Sequence, residues 1–403
     1  MPKSGALVAL VFSLVFVPAA EAWTTLGSGL DNTVDPSAVV LANGKTLVAF
    51  REPKARAVVI ASGASKEVVA SGLASVGDPR LVLLRDGSLV LFVADQDGVV
   101  SYTSANGSSW SGPTKTGSAD TGDVQAAAAR ADGTPFFTQD GTGFLNVYTG
   151  AASAARNVFP RCCGYAESVA VDSHDLAQVA FWSNAAGRSG YLYGKVDSGG
   201  LKTLSSGQTA ENSARVPLTA DASGNTFVGF ANGYPSPDAF VVDTLRAGSI
   251  VHKVTLATGP FTGNQPLMAL SVDTSGRVWA VWTEGGAVWA ARSRSHGAHF
   301  GAAVHVAFPG LSYALEAAAQ NDGSVEAIAN DGSALRTENL LPGLTVQVSG
   351  SVVRVLDDGF PVRGATVRAA GMAATTDAGG RARFTSLPSH SPMSVRAAGY
   401  APY

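Results

Sequence analysis

The stretch LMALSVDTSGRVWAVW, from Leu267 to Trp282, shows the pattern that decides the fold. Two apolar segments flank a short polar turn that contains Asp273 and Gly276. A tight turn between two strands needs a residue with positive φ, which Gly or Asx supplies at little cost. The stretch therefore predicts a β-hairpin.

The same hairpin recurs along the chain, and seven copies can be aligned on their turns. The other six are Ser37 to Phe50, Arg80 to Phe92, Gln125 to Phe137, Glu167 to Phe181, Arg215 to Phe230 and Glu316 to Ala329. Successive turns lie 42 to 52 residues apart, which leaves room for two more strands per copy. Four strands per repeat of about 45 residues is the unit of a β-propeller blade. The sequence therefore predicts an all-β protein with a seven-bladed β-propeller, or a six-bladed one if the first copy is an incomplete blade.

The first strand of each copy is rich in small and aliphatic residues, as in Ala126 to Ala129. This composition fits an innermost strand, because the blades converge on the axis and leave little volume for each side chain. The seventh copy runs out of strands before Leu344. We expect the segment after Trp23 to supply the missing strand and close the ring.

The two ends of the chain differ from the repeats. Lys3, the apolar stretch Ala6 to Val17 and the Ala20-Glu21-Ala22 site predict a signal peptide over residues 1–22. The apolar run is short of the ~20 residues that a membrane span needs. We therefore expect a secreted chain that starts at Trp23, with the propeller over 23–343 and a small β-sandwich over 344–403.

Two turns resemble the Asp-box of sialidase-like (BNR) propellers, whose pattern is S-x-D-x-G-x-x-W or F. They are TSANGSSW, Thr103 to Trp110, and SRSHGAHF, Ser293 to Phe300. Both keep the Gly and the final aromatic, but Ala105 and Ser295 stand where the Asp belongs. Because such boxes are structural turns, the resemblance, which covers roughly 23–343, implies the repeat class and says little about activity.

The C-terminal residues resemble a carboxypeptidase-regulatory-like, prealbumin-like β-sandwich. The residues that carry the resemblance are Gly350, Pro361, Gly364, Ala365, Val367, Thr376, Asp377, Gly380, Phe384, Gly399 and Tyr400. Such modules are usually non-catalytic spacers or adhesive units. The resemblance implies a domain that meets a cell surface or a protein partner.

Composition excludes several functions. With 46% hydrophobic residues and a net charge of −3, the chain is globular and lacks the basic footprint that nucleic acid or anionic lipid requires. No segment after the predicted signal peptide is long and apolar enough to span a membrane. The six His show no metal-ligand spacing, and there is no nucleotide-binding fingerprint. We therefore expect no cofactor, no metal and no nucleic acid partner.

The first residues of the inner strands converge on the mouth of a propeller's central channel. The aligned positions are Ser37, Arg80, Gln125, Glu167, Arg215, Leu267 and Glu316. The predicted ligand-binding set is Arg80, Gln125, Tyr165, Glu167, Arg215, Tyr313 and Glu316. In this interpretation the two Arg hold a carboxylate and the two Glu accept sugar hydroxyls. In the alternative interpretation the charges pair across the channel and stiffen it.

These residues favour a non-catalytic binding protein that recognises a glycan or another small polar ligand at the mouth. One alternative is a sialidase-like glycoside hydrolase that uses Glu167 and Glu316, since two carboxylates can act as acid and nucleophile or base. A second alternative is an extracellular scaffold that binds protein partners.

The only two cysteines, Cys162 and Cys163, are adjacent in the sequence and precede the fourth inner strand. In an exported protein they are expected to form a vicinal disulfide, which makes a rigid corner beside the mouth. Free thiols and pairing between chains are the alternatives.

Overall fold

Nearly all secondary structure in the computed structural model is β-strand. It describes residues 23–96, 98–116, 124–141, 144–149, 156–159, 164–183, 189–196, 200–206, 215–232, 237–259, 261, 267–388 and 391–403. The one helical turn in these residues is the 3-10 turn Pro53–Ala55. The predicted signal peptide, Cys162 and Cys163 lie outside the described residues. Within the described part of the chain, no helix is long and apolar enough to cross a membrane.

The described residues between Thr24 and Leu340 form seven four-stranded antiparallel sheets. The first strand is β1 (Thr24–Ser28). Sheet 1 contains β2 (Ser37–Val40), β3 (Thr46–Glu52), β4 (Ala57–Ser62) and β5 (Ser65–Ala70). Sheet 2 contains β6 (Arg80–Leu83), β7 (Leu89–Asp95), β8 (Gly98–Ser104) and β9 (Ser111–Lys115). Sheet 3 contains β10 (Val124–Ala129), β11 (Pro135–Gly141), β12 (Phe144–Thr149) and β13 (Arg156–Phe159).

The remaining sheets follow the same order. Sheet 4 contains β14 (Gly164–Val171), β15 (Ala177–Ser183), β16 (Gly190–Lys195) and β17 (Leu201–Ser206). Sheet 5 contains β18 (Leu218–Ala220), β19 (Asn225–Asn232), β20 (Ala239–Arg246) and β21 (Ser249–Thr258). Sheet 6 contains β22 (Met268–Val272), β23 (Val278–Glu284), β24 (Ala287–Ser293) and β25 (Val304–Ala307). Sheet 7 contains β26 (Ala314–Ala319), β27 (Val325–Asn330) and β28 (Ala334–Leu340), with β1 paired to β28.

The seven sheets form a closed ring around a central axis. The first strand of each sheet contacts the first strand of the next, and β26 of sheet 7 contacts β2 of sheet 1. The N-terminal strand completes sheet 7, because Thr24 pairs with Thr337 and Ser28 pairs with Ala334. The predicted all-β propeller fold is confirmed, and the ring closes at the place that the sequence indicated.

The hairpin turns have the backbone conformation that the repeat pattern predicted. Gly276 has φ of 76°, and Asp175, which replaces Gly in the fourth copy, has φ of 61°. An Asx side chain also supports the turn: Asp273 Oδ1 accepts hydrogen bonds from the N–H groups of Ser275 (2.8 Å) and Arg277 (3.0 Å). These local bonds compensate backbone donors that the tight turn leaves without strand partners.

Large side chains fill the space between sheets, while small ones line the axis. Trp279 and Trp282 on the second strand of sheet 6 are almost fully buried, whereas the facing inner strand of sheet 7 contributes Ala317 and Ala319. Away from the mouth, the inner strands line a cavity of about 570 Å³ whose side chains, such as Val40, are mostly aliphatic. The polar groups that could serve a ligand are therefore concentrated at the other end of the channel.

The C-terminal residues form two further sheets around a core of their own. Their strands are β29 (Thr345–Ser349), β30 (Val352–Asp357), β31 (Phe360–Pro361), β32 (Thr366–Ala369), β33 (Met372–Thr375), β34 (Arg381–Arg383) and β35 (Met393–Arg396). One sheet has the order β29-β30-β31 with β34 also paired to β30, and the other has the order β33-β32-β35. Val353, Val367 and Val395 are fully buried between them. This part of the chain is a small β-sandwich.

Candidate functional site at the propeller mouth

A cavity of about 650 Å³ lies where the inner strands begin. Its polar lining comes mostly from the loops and first residues of these strands, and its apolar lining comes from sheets 5 to 7. The lining residues are Asn32, Thr33, Val34, Asp35, Asp78, Arg80, Gln125, Ser168, Arg215, Pro217, Leu218, Leu267, Met268, Ala269, Leu270, Ser312, Tyr313, Ala314, Leu315 and Glu316. A cavity of this volume suits a small ligand.

The structure brings five of the seven predicted ligand-binding residues to this cavity: Arg80, Gln125, Arg215, Tyr313 and Glu316. Glu167 is fully buried and does not belong to the lining. The pairing of β14 with β15 shifts register between Tyr165 and Ser168. Ser168, one residue later in the chain, lines the cavity. The side chain of Tyr165 lies outside the described residues.

Asp35 is the centre of the polar network at the cavity floor. Its Oδ2 lies 2.8 Å from Arg80 Nη2 and 2.9 Å from Arg215 Nε. Asp35 Oδ1 also accepts a hydrogen bond from Arg215 Nη2 at 3.2 Å. Because Asp35 precedes sheet 1, Arg80 begins sheet 2 and Arg215 precedes sheet 5, this carboxylate joins three parts of the ring.

Arg80 stabilises the fold and is poorly accessible to a ligand. Its guanidinium donates to the backbone carbonyls of Gln125 (2.8 Å), Asp35 (3.2 Å) and Pro79 (3.1 Å), besides the Asp35 carboxylate. Only 5% of its side chain is exposed. A ligand carboxylate would have to displace these acceptors to reach it, so the predicted Arg80 and Arg215 fork for a ligand carboxylate is not supported by the geometry.

Arg215, Asp35 and Glu316 form the part of the network that solvent reaches. Arg215 Nη2 lies 2.8 Å from Glu316 Oε2, and it also donates to the carbonyl of Pro36 at 2.9 Å. The side chains of Asp35, Arg215 and Glu316 are 25%, 21% and 16% exposed. Their oxygen and nitrogen edges are therefore available to hydroxyl groups of a bound molecule.

A second ion pair lies beside this network. Arg51 Nε donates to Asp78 Oδ1 at 2.7 Å, and the N–H of Asp35 donates to the same oxygen at 3.1 Å. With Arg80, Arg215 and Glu316, the mouth then holds three guanidiniums and three carboxylates. Asp31 Oδ1 lies 3.8 Å from Arg51 Nη2 and adds a fourth carboxylate, so these groups carry no excess positive charge that would favour an anionic ligand.

Two carboxylates of the network have pKa values shifted in opposite directions. Burial raises the pKa of Asp35, but the Arg215 and Arg80 guanidiniums outweigh burial and hold this pKa below its usual value. Burial raises the pKa of Asp78 to about 6; the Arg80 charge opposes this rise and the Asp35 charge adds to it. Burial lowers the pKa of Arg80, whereas Asp35 and Glu316 raise that of Arg215 despite its burial.

The raised pKa of Asp78 predicts a pH-dependent stability. Since the folded-state pKa of about 6 exceeds the usual 3.8, folding favours the protonated carboxyl, and this stabilisation is lost as the pH rises from 4 through 6. Two pKa units correspond to at most about 3 kcal/mol. Asn does not titrate in this range. We therefore expect the unfolding free energy of Asp78→Asn minus that of the unmodified chain to be about 2–3 kcal/mol larger at pH 7 than at pH 4. Denaturant titrations at both pH values measure this difference, and a difference independent of pH would contradict the assignment.

The structure does not support Glu167 and Glu316 as a pair of catalytic carboxylates. Glu167 is fully buried outside the cavity lining, and Glu316 is held by Arg215. A glycosidase needs both carboxylates on one substrate. In the described part of the chain, no group of three or more His, Cys, Asp or Glu side chains is arranged to hold a metal ion.

Asp35 and Asp78 are the site residues that sequence reasoning missed. Each stands two residues before an aligned strand position, in Asp35-Pro36-Ser37 and Asp78-Pro79-Arg80. The repeated Asp-Pro pair was a usable signal. The loops just before the inner strands reach the mouth as well as the first residues of these strands.

The solved structures to which this chain is similar share little sequence with it. No protein-family profile matches the chain, and no curated protein matches it. The WD40 domain of Toxoplasma gondii coronin is 11% identical with a TM-score of 0.49, over 80% of this chain and 85% of that one. A lectin from Aleuria aurantia, solved with Fucα1-6GlcNAc, is 12% identical with a TM-score of 0.44, over 83% and 99%. The extracellular domain of a B. thetaiotaomicron putative hybrid two component system is 11% identical with a TM-score of 0.49; 96% of this chain matches 58% of that one.

Proposed function

We propose that this chain is a secreted, non-catalytic binding protein whose propeller mouth recognises a neutral, hydroxyl-rich ligand such as a glycan. The observation that carries the proposal is the Asp35, Arg215 and Glu316 network, which is partly exposed on the floor of a 650 Å³ cavity. Ordered carboxylate and guanidinium groups accept from and donate to hydroxyls without loss of conformational entropy on binding.

The paired guanidiniums at the mouth favour a neutral ligand over an acidic one. An acidic sugar would need a guanidinium that is free to pair, whereas Asp35 already pairs with both Arg80 and Arg215. A neutral polyol can add hydrogen bonds to the edges of the network while every ion pair stays intact. The proposal therefore departs from a sialidase-like activity, which requires a carboxylated substrate.

Tyr313 and the apolar wall complete the proposed site. The Tyr313 N–H donates to the carbonyl of Asn330 at 2.8 Å. Its ring lies so close to Gly332 that a Cβ there would approach ring Cε2 to 2.8 Å. Leu267 and Met268 form part of the apolar lining. An aromatic ring held beside aliphatic groups suits the C–H face of a sugar.

A thermal-shift and calorimetry screen of neutral and acidic mono- and disaccharides tests the proposal. We expect a neutral sugar to stabilise the protein, and we expect Glu316→Gln and Tyr313→Ala each to weaken its binding at least about tenfold. Glu67→Gln on the outer strand β5 is the matched control and should bind normally. If no neutral sugar binds, or if the two mouth variants bind as the control does, the proposed site is excluded.

The proposal also includes export and a role for the sandwich. Residues 1–22 are proposed to be removed on secretion, and N-terminal sequencing of the exported chain should begin at Trp23. Kinship with BNR propellers and with prealbumin-like modules is proposed on the two Asp-box-like turns and on the C-terminal motif. The sandwich would then be the unit that meets a surface or a protein partner, which a pull-down with residues 344–403 deleted can test.

A further inference from the structure

The turn Ser293 to Phe300 lacks the aspartate of its pattern, and Ser295 stands in that place. In the Asp-box pattern the aspartate sits in the turn itself, where a carboxylate can accept bonds from the turn's backbone N–H groups. Hydroxyl groups of the turn supply part of what is missing: Ser293 Oγ accepts from the N–H groups of Ser295 (3.3 Å) and Gly297 (2.9 Å), and Ser295 Oγ accepts from the N–H of His299 (3.2 Å). The N–H of Arg294 still needs an acceptor from outside the turn.

Asp358 of the C-terminal sandwich supplies this acceptor. Its Oδ2 accepts from the N–H of Arg294 at 2.6 Å, from the N–H of Ser295 at 2.9 Å and from Ser295 Oγ at 2.8 Å. The Asp358 side chain is buried, and its φ of 50° is one that non-glycine residues rarely adopt. Three hydrogen bonds to one carboxylate oxygen mark a built socket.

The neighbouring Asp357 forms a second contact between the sandwich and the propeller. Its Oδ2 lies 2.5 Å from Arg292 Nη2, and both side chains are buried. Arg292 also donates through Nη1 to the carbonyl of Gly323, in a turn of sheet 7, at 2.7 Å. Tyr400 of the sandwich donates to Asp357 Oδ2 at 3.2 Å, and Arg292 lies over its ring. One buried arginine thus joins sheet 6, sheet 7 and the sandwich.

Two glycines allow the backbones to meet closely at this junction. A Cβ at Gly343 would lie 2.4 Å from the carbonyl oxygen of Ala302, a distance that real Cβ atoms do not adopt. A Cβ at Gly301 would lie 3.1 Å from the N–H nitrogen of Asp358. The connection between propeller and sandwich is therefore packed, not an extended linker.

The other Asp-box-like turn also uses local side chains in place of the missing aspartate. In Thr103 to Trp110, Ser104 Oγ accepts from the N–H of Gly107 at 2.8 Å, and Asn106 Oδ1 accepts from the N–H of Ser108 at 2.9 Å. Within the described residues, the sheet 6 turn differs from it by the added carboxylate of the sandwich.

We infer that the turn Ser293 to Phe300 is a carboxylate-binding socket whose resident ligand is Asp358, so that the sandwich is locked to the propeller. The socket lies on the face opposite the mouth. His296 Nδ1 contacts Asp221 Oδ2 at 2.9 Å, and Arg292 contacts Gly323. Asp221 and Gly323 belong to the turns at the far ends of the inner strands. The lock therefore fixes the sandwich where it leaves the mouth unobstructed.

Hydrogen exchange and limited proteolysis of the full chain test the lock. In Asp358→Ala we expect the amides of residues 294 and 295 to exchange at least about tenfold faster, and residues 341–344 to be cleaved faster. Asp377→Ala is the matched control, because Asp377 supports an exposed turn of the same sandwich through the N–H groups of Gly379 and Arg381. Exchange and cleavage rates equal to those of the control would overturn the inference.

A second variant separates docking from mere misfolding. Ser295→Asp restores the aspartate of the pattern, but it places a carboxylate beside that of Asp358, since Ser295 Oγ and Asp358 Oδ2 are 2.8 Å apart. We expect this variant to keep the turn protected and to release the sandwich by repulsion, so that only residues 341–344 become cleavable. Combined with Asp358→Ala, it should restore protection of the turn without restoring protection of residues 341–344. Restored protection of both segments would show that Asp358 does not hold the domains together.

Discussion

Replacing Asp35 with alanine is expected to lower the free energy of unfolding by about 3–5 kcal/mol, because the buried Arg80 guanidinium and the partly exposed Arg215 guanidinium lose their shared partner. Asp35 pairs with Arg80 at 2.8 Å and with Arg215 at 2.9 Å. Arg215 keeps Glu316 as a partner. Arg80 keeps hydrogen bonds to backbone carbonyls, so most of the cost should come from Arg80. Denaturant unfolding at pH 7 measures the loss.

Asp31→Ala is the control for this substitution, since Asp31 lies on the same loop but its side chain is 48% exposed. Its loss should stay near or below about 1 kcal/mol, as for other exposed ion pairs. If Asp35→Ala costs no more than the control, the network is not what joins the sheets. Arg80→Met in the Asp35→Ala background should recover part of the stability, because it removes the unpaired charge.

The result bears on two interpretations of the mouth that the sequence left open. In one interpretation the charged groups bind a ligand, and in the other they pair with one another and stiffen the channel. In the structure the two interpretations apply to different residues. Arg80 is almost inaccessible, whereas Arg215, Asp35 and Glu316 are partly exposed. Stiffening and ligand contact are compatible here, because the ion pairs that hold the ring also fix the groups a ligand would meet.

The fold could be predicted from the sequence because its determinants are local. A turn residue with positive φ, as at Gly276, and apolar residues on both sides specify each hairpin without reference to the rest of the chain. Repetition at a fixed spacing then selects a propeller. The site was predicted less well, because a one-residue irregularity in β14 placed Ser168 in the cavity lining and left Glu167 out of it.

Local sequence patterns could not predict the contacts between distant segments of the chain. Asp357-Asp358-Gly359 has the sequence of an exposed hairpin turn. Both aspartates are nevertheless buried against Arg292 and Ser295 of the propeller, more than sixty residues away. The serine at position 295, where the pattern has an aspartate, indicated that a carboxylate was missing from the turn. The sequence did not indicate which residue would replace it.

Removing residues 23–28 is expected to have the second large effect, because strand β1 closes the ring. Its loss would expose the edge of β28, remove Leu26 from the core and remove Trp23, whose Nε1 donates to the carbonyl of Ala307 at 2.8 Å and whose ring meets that of Phe308. Truncating a buried Leu costs about 2–5 kcal/mol, and the contacts of the partly buried Trp23 and the pairing with β28 are lost as well, so we expect a loss of at least about 5 kcal/mol. The unpaired edge should also drive association. Calorimetry and sedimentation measure both effects.

A chain that starts at Trp23 is the matched control, since it loses only residues 1–22 and keeps the whole strand. It should unfold like the full-length protein. A synthetic peptide of residues 23–28 added to the truncated chain should restore its melting temperature, because the peptide can pair with β28 in the register Thr24 to Thr337. A truncated chain that stays monomeric and equally stable would mean that the inter-sheet contacts hold the ring without its terminal strand. The stability of the propeller would then rest on contacts between neighbouring inner strands, and the Asp35 network would be the main link across the mouth.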